Sequence, residues 1–168
     1  TMLKDAGHEV IWLDCIAEGI PYEKFIEAVK QEKPDVIALE TKTPVVKQHW
    51  KIIDGIKYHV SGVKCVLFGD HVTALPEESF QNSQVDYVLT GGDYDFLLLS
   101  LCDYLSGRRT TEDGRRFPLE AGIYYRDNGQ VKNTGQFQLN RNLDTLPFID
   151  RQLTKWQSYA YKNGNFKR

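Results

Sequence analysis

Asp35-Val-Ile-Ala-Leu-Glu40, Val63-Lys-Cys-Val-Leu-Phe68 and Asp86-Tyr-Val-Leu89 are three short apolar runs, and the stretches between and after them have helical character. From Val45 to about Val60, the positions Val46, Trp50, Ile53 and Ile56 recur at helical spacing and Gly62 closes the unit. Between the second and third runs lie a glycine, a polar loop and a short helix that starts near Pro76, with Glu77 and Glu78 in its first turn. Tyr94 to Leu105 is a strongly apolar helix that ends at Gly107. Strands that alternate with helices need crossover connections, so the pattern predicts a parallel sheet covered on both faces.

Outward from these runs, His8-Glu-Val-Ile-Trp-Leu-Asp14 reads as a further strand, and Pro21 opens a helix with Phe25, Ile26 and Val29 on one face, ending near Lys33-Pro34. The expected fold is α/β: a Rossmann-like, flavodoxin-like doubly wound parallel sheet. After Gly107 the character changes. Residues 108–116 are a polar loop, and Gly122-Ile-Tyr-Tyr-Arg126, Asp-Asn-Gly and Gln130-Val-Lys-Asn133 spell a hairpin, read as a C-terminal appendage. Three regions are expected: the Rossmann-like domain at 1–107, its hairpin extension at 108–139, and a linker at 140–168. Within the linker, Leu143 to Phe148 is expected as a fixed turn and Lys162 to Asn165 as loop or disorder. Met2 to Gly7 resembles the tail of a helix. In the strand order 2-1-3-4-5 a strand should precede that helix and separate residues 8–14 from 35–40, so a first strand is expected upstream of Thr1.

Composition narrows the classes of function. Lys and Arg (21) nearly balance Asp and Glu (23), and no stretch concentrates either sign, which disfavours nucleic acid as a partner. The apolar runs are too short to span a bilayer, so no membrane partner is expected. Cys15, Cys65 and Cys102 are widely spaced and odd in number, which argues against a disulfide framework or a thiolate metal site and for a reducing, cytoplasmic compartment.

Ligands of open parallel sheets bind outside the carboxyl ends of the strands. The loops there are Asp14-Cys15, Glu40-Thr-Lys-Thr-Pro44, Gly69-Asp-His-Val-Thr-Ala74 and Thr90-Gly-Gly-Asp93. The last three combine small residues, hydroxyls and glycines, which would let a bulky ligand reach backbone N–H groups. A plainer reading is that Gly69, Gly91 and Gly92 only make tight turns. Asp14, at a strand exit, suits a cap on the following turn, and Trp12 and Trp50 suit the core or its edge.

The succession Ala-Gly-His-Glu-Val and Leu-Asp within 6–14, Lys-Pro-Asp-Val-Ile (33–37), Gly-Asp-His-Val-Thr-Ala-Leu-Pro-Glu (69–77), Val-Asp-Tyr-Val-Leu-Thr-Gly-Gly (85–92) and Leu-Asp-Thr-Leu-Pro-Phe-Ile-Asp-Arg (143–151) resembles the N-terminal cobalamin-binding domain of B12-dependent radical SAM proteins. The order and spacing of these strings carry the likeness, over about residues 2–151. The resemblance implies a cobalamin whose corrin and nucleotide tail are lined by Thr41, Lys42 and Thr43, by Gly69, Asp70, His71, Val72 and Thr73, and by Gly91, Gly92 and Asp93. His71 is the sharpest single candidate for contact with the corrin or an amide arm; the alternative is a loop histidine bonded within the protein. The Asp-x-His-x-x-Gly string of the cobalt-ligating branch is absent, as are both Glu of the family's common Gly-Glu-Gly-Glu form, at Gly91-Gly-Asp-Tyr94.

Radical SAM chemistry needs a Cys-x-x-x-Cys-x-x-Cys run to hold a 4Fe–4S cluster, and none occurs in this sequence. The expectation is a cofactor-binding module, not catalytic by itself, whose partner is a radical SAM domain of the same longer protein carrying S-adenosylmethionine and the cluster. Methyl transfer or a related radical reaction is the implied activity. Two other readings stay open on the residues alone: a nucleotide-sugar or other phosphate-ligand transferase on the same fold, and a non-catalytic interaction domain. Against the first, no Gly-x-Gly-x-x-Gly or Walker string opens a helix.

Overall fold

The computed structural model describes residues 1–108, 114, 118–139 and 142–159. Much of the polar loop 108–116, together with Tyr161 and the expected loop at 162–165, lies outside the described residues. The chain forms two compact units, one of residues 1–28 with 142–168 and one of residues 29–141.

The larger unit contains a five-stranded sheet, β1 (Val36–Glu40), β2 (Lys64–Phe68), β3 (Tyr87–Leu89), β4 (Ile123–Asp127) and β5 (Gln130–Asn133), lying side by side in chain order. β1, β2 and β3 are parallel, and β4 joins β3 antiparallel with Leu89 opposite Ile123. The hairpin is thus part of the sheet. Its turn is set by Asn128 at φ +50° and Gly129 at φ +81°, the left-handed pair that a two-residue hairpin loop requires.

The helices, in chain order, are α1 (Met2–Asp5), α2 (Tyr22–Glu32), α3 (Val46–His59), α4 (Asp70–Ala74), α5 (Glu78–Asn82) and α6 (Tyr94–Ser106). Alternation along β2 sends Val66 to one face, where it forms a buried cluster with Leu89, Leu97, Leu101 and Ile123, so α6 covers that face. Cys65 and Leu67 point the other way and are fully buried, as are Ile53 and Ile56 of α3. The Trp50 indole N–H donates to Ser79 Oγ at 2.9 Å and joins α3 to α5. Gly107 ends α6 in the left-handed conformation, as a C-terminal glycine should.

Two readings need correction here. Residues 8–14 join no sheet: an apolar run becomes a strand only when a neighbour takes its N–H and C=O groups, and among the described residues β1 has β2 as its one ladder partner. Residues 70–74, read as a loop, are α4.

In the smaller unit the chain's two ends are clasped by polar contacts. Lys4 Nζ meets Asp150 Oδ2 at 2.7 Å, and the Asp150 N–H donates to Thr1 Oγ1 at 2.8 Å. Lys155 pairs with Glu18, and the Tyr159 hydroxyl donates to Asp14 at 2.8 Å. Asp14 also caps its own turn by accepting from the Ile16 and Ala17 N–H groups, as expected. Trp12 is not a core residue: it is 45% exposed, and its indole N–H faces the Tyr159 oxygen at 3.4 Å. Trp50 is buried.

Candidate functional site

The carboxyl ends of β1, β2 and β3 bring residues 41–45, 69–74 and 90–94 to one end of the sheet. These segments contain every residue that the resemblance implies for the cobalamin seat. Lys42, Thr43, Asp70 and Gly92 are exposed, and Thr73, Gly91 and Asp93 are half-buried. Val72 and Thr41 are fully buried. Val72 therefore contributes to the core beneath the loops. Thr41 donates its N–H to the Phe68 carbonyl at 2.8 Å, yet its Oγ1 has no hydrogen-bond partner among the described residues.

The glycines are explained in two different ways. Gly69 sits at φ +120°, and a Cβ there would lie 2.3 Å from the Thr41 carbonyl oxygen, so only glycine lets the first two loops approach this closely. Gly91, at φ +102°, makes room for Phe137, whose ring would meet a Cβ at 2.8 Å. Phe137 follows β5, so it arrives at the same end of the sheet, and no local sequence signal announces it. Thr90 anchors the neighbouring segment by donating from its backbone N–H and its hydroxyl to the Gly122 carbonyl, at 3.0 and 2.8 Å. Thr90, Gly92, Asp93, Phe96 and Phe137 border a small cavity of about 190 Å³.

α4 ties the loops to one another. His71 is 7% exposed, and its Nδ1 lies 3.2 Å from Thr43 Oγ1 and its Nε2 2.9 Å from Glu78 Oε2. Both ring nitrogens are engaged and the ring meets Trp50 edge-on, so His71 is a buried brace bonded to side chains. Two residues on, Thr73 Oγ1 contacts the Gly69 carbonyl, the Gly91 N–H and the Tyr94 hydroxyl at 2.9, 3.1 and 2.9 Å.

A larger cavity, about 390 Å³, opens at the opposite end of the strands, lined by Lys57, Lys64, Asp86 and Arg126 among others. Its cations are already used. Lys57 and Lys64 pair with Asp86, and Arg126 donates to the Phe80 carbonyl. Asp86 in turn accepts the Cys65 N–H at 2.7 Å. This cluster fastens the sheet's lower end, and the loop end remains the candidate site.

A corrinoid supplies its own equatorial nitrogens, so its seat needs shape and peripheral hydrogen bonds, not a protein metal cage. The loop end fits that requirement: the exposed Thr43 hydroxyl and backbone groups lie beside the charges of Lys42 and Asp70, on loops braced from below. The unmatched Thr41 hydroxyl adds unused hydrogen-bonding capacity at their root. Among the described residues, no His, Cys, Asp and Glu group forms a metal cluster.

Residues 1–97 match the B12 binding domain family. Among curated relatives, an uncharacterized methyltransferase of Pyrococcus horikoshii is 24% identical over 152 residues, 90% of this chain and 32% of the relative. The anaerobic magnesium-protoporphyrin IX monomethyl ester cyclase of Cereibacter sphaeroides is 21% identical over 161 residues, 95% of this chain and 26% of the relative. The chain thus spans about a third or less of the curated relatives it matches. Among solved structures, the radical S-adenosylmethionine methyltransferase TsrM of Kitasatospora setae, with cobalamin and a 4Fe–4S cluster bound, superposes with TM-score 0.63 at 18% identity, over 84% of this chain and 25% of that one. The cobalamin-dependent S-adenosylmethionine radical enzyme OxsB superposes with TM-score 0.56 at 20% identity, over 73% of this chain and 16% of that one. With more than half of its residues inside the family match, this chain belongs to the B12 binding domain family.

Proposed function

We propose that the chain seats cobalamin on the loops at 41–43, 69–73 and 91–93, as the cofactor-holding module of a larger radical SAM enzyme that carries out methyl transfer or a related radical reaction. The observation that carries this reading is the coincidence of the family match at residues 1–97 with all three braced loops at one end of the sheet. When bound, cobalamin supplies a cobalt centre able to carry a methyl group. The chain's own part is to bind and orient. Thr43, Lys42, Asp70 and the backbone of Gly92 offer exposed hydrogen-bonding groups, while His71 and Thr73 hold the loops that present them.

His71 is not offered to the cobalt, because it spends both ring nitrogens on Thr43 and Glu78. S-adenosylmethionine and the 4Fe–4S cluster would be held by a radical SAM domain of the same longer protein, the partner of this module. The family match favours this reading over a nucleotide-sugar transferase, and Asp93 and Asp95 at the start of α6 would oppose a phosphate there.

The test is titration of the purified chain with hydroxocobalamin, followed by visible spectrum and gel filtration. Co-elution at tens of micromolar, with a spectrum unchanged by His71→Asn, is the expected result. Failure to co-elute, or stabilisation by a nucleoside diphosphate sugar instead, would refute the reading.

A further inference from the structure

We infer that Thr73 and Tyr94 form a positioning pair that sets the spacing of the second and third cobalamin loops without touching the cofactor; the inference rests on the function proposed above. A hydroxyl has one proton to donate and two lone pairs that accept. At Thr73 all three are used. The Gly91 N–H donates to Oγ1 at 3.1 Å, the Oγ1 proton goes to the Gly69 carbonyl at 2.9 Å, and the Tyr94 hydroxyl, 2.9 Å away, fills the remaining position. Thr73 therefore has no capacity left for a ligand, although it lies among the residues expected to bind one.

Tyr94 is fixed from the other side. Its ring packs against Phe68, the last residue of β2, with centroids 5.4 Å apart, while its backbone begins α6. The phenol thus joins the end of β2, the side chain of α4 and the head of α6 at one point. Gly91, at φ +102° and outside the strand ladder, has its N–H held at this point. Removing the tie frees the Gly91-Gly92 loop to move relative to Gly69, and a ligand would then have to order both loops on binding. The cost falls on affinity, through faster dissociation, more than on folding, since the packing of β2 and β3 is unchanged.

The experiment compares Thr73→Val, Tyr94→Phe, the double variant and Thr73→Ser in the same chain. It reads hydroxocobalamin affinity and dissociation rate, the thermal midpoint without cobalamin, and amide exchange at Gly91. Thr73→Val and Tyr94→Phe should each weaken binding about tenfold, mainly in the dissociation rate, with Gly91 exchanging faster and the midpoint little changed. The double variant should bind no more weakly than Thr73→Val, because the two residues act as one unit. Thr73→Ser, which keeps the hydroxyl, should bind like the wild type. Wild-type affinity in Thr73→Val, additive losses in the double variant, or affinity that only tracks the midpoint would overturn the inference alone. A wild-type chain that takes up no cobalamin would overturn the proposed function, and this inference with it.

Discussion

Replacing Gly69 by alanine should be among the most damaging single-methyl changes available to the larger unit. Its backbone, at φ +120° and ψ −176°, occupies a region open essentially to glycine alone, where a side chain costs about 1–3 kcal/mol. The added Cβ would also lie 2.3 Å from the Thr41 carbonyl oxygen and 3.2 Å from the Thr41 nitrogen. Both are backbone atoms, so no side chain can swing aside. Relief requires β1 and β2 to separate at their carboxyl ends, against the Thr41 N–H bond to Phe68, and such overpacking costs about 1–3 kcal/mol more. A total near 4 kcal/mol lowers the melting midpoint by about 8–16 °C in a chain of this size.

Gly62→Ala is the matched control. Gly62 also has positive φ, at +85°, but no atom lies within 4 Å of the position its Cβ would take. Only the conformational cost of about 1–2 kcal/mol then applies, giving a loss of about 2–8 °C. The assay is thermal unfolding by circular dichroism of the wild type and both variants. Equal losses at the two positions would refute the close approach of Thr41 and Gly69 as the cause.

Thr41→Val removes a buried hydroxyl that has no partner among the described residues, so it should stabilise the cobalamin-free chain by about 1 kcal/mol in unfolding experiments; a loss of stability would show that the hydroxyl is satisfied. Burial pushes the Cys65 and Cys102 thiols up to about 11, whereas Cys15 is raised less, by burial first and then by Asp14 and Glu18. Near pH 8 the two deeper thiols are ionised only about 0.1% of the time, so mass mapping after iodoacetamide should find Cys15 labelled first, and comparable labelling of Cys65 or Cys102 would contradict this. The clasp of the smaller unit should loosen in acid. The Asp150 carboxyl is held below its usual 3.8 by its hydrogen bond from Lys4, Glu18 below 4.5 by Lys155, and Asp14 by the Ala17 N–H and then Tyr159. Groups with depressed values stabilise the fold above their ordinary range and lose that contribution as pH falls through the depressed values, so the Trp12 indole N–H resonance should stay fixed near pH 6 and shift only in acid. A shift at neutral pH would contradict the assignment.

Much of the sheet was legible because its signals are local. Val36–Glu40, Lys64–Phe68 and Tyr87–Leu89 are apolar runs punctuated by Pro34, Gly62 and Gly69, and Asp127-Asn-Gly129 specifies its own turn. Residues 8–14 carry the same kind of run, but strand identity depends on a neighbour, which the run itself does not encode. α4 escaped because five residues with one strongly apolar side chain are too short to show a period. At the site, the general rule of strand ends located the three loops correctly, while the roles of individual residues depended on contacts across long sequence separations. His71 reaches back to Thr43 and forward to Glu78, and Phe137 fills the space above Gly91. Neither partnership leaves a mark in the local sequence.

Hydrogen exchange of the chain with and without hydroxocobalamin locates the cofactor's seat most directly. Protection is predicted in peptides covering 41–45, 69–74 and 90–94, with the segments around Lys57, Lys64 and Arg126 at the other end of the strands unchanged. Protection at that opposite cavity, or none at the three loops under conditions where cobalamin co-elutes, would contradict the placement of cobalamin on the strand-end face.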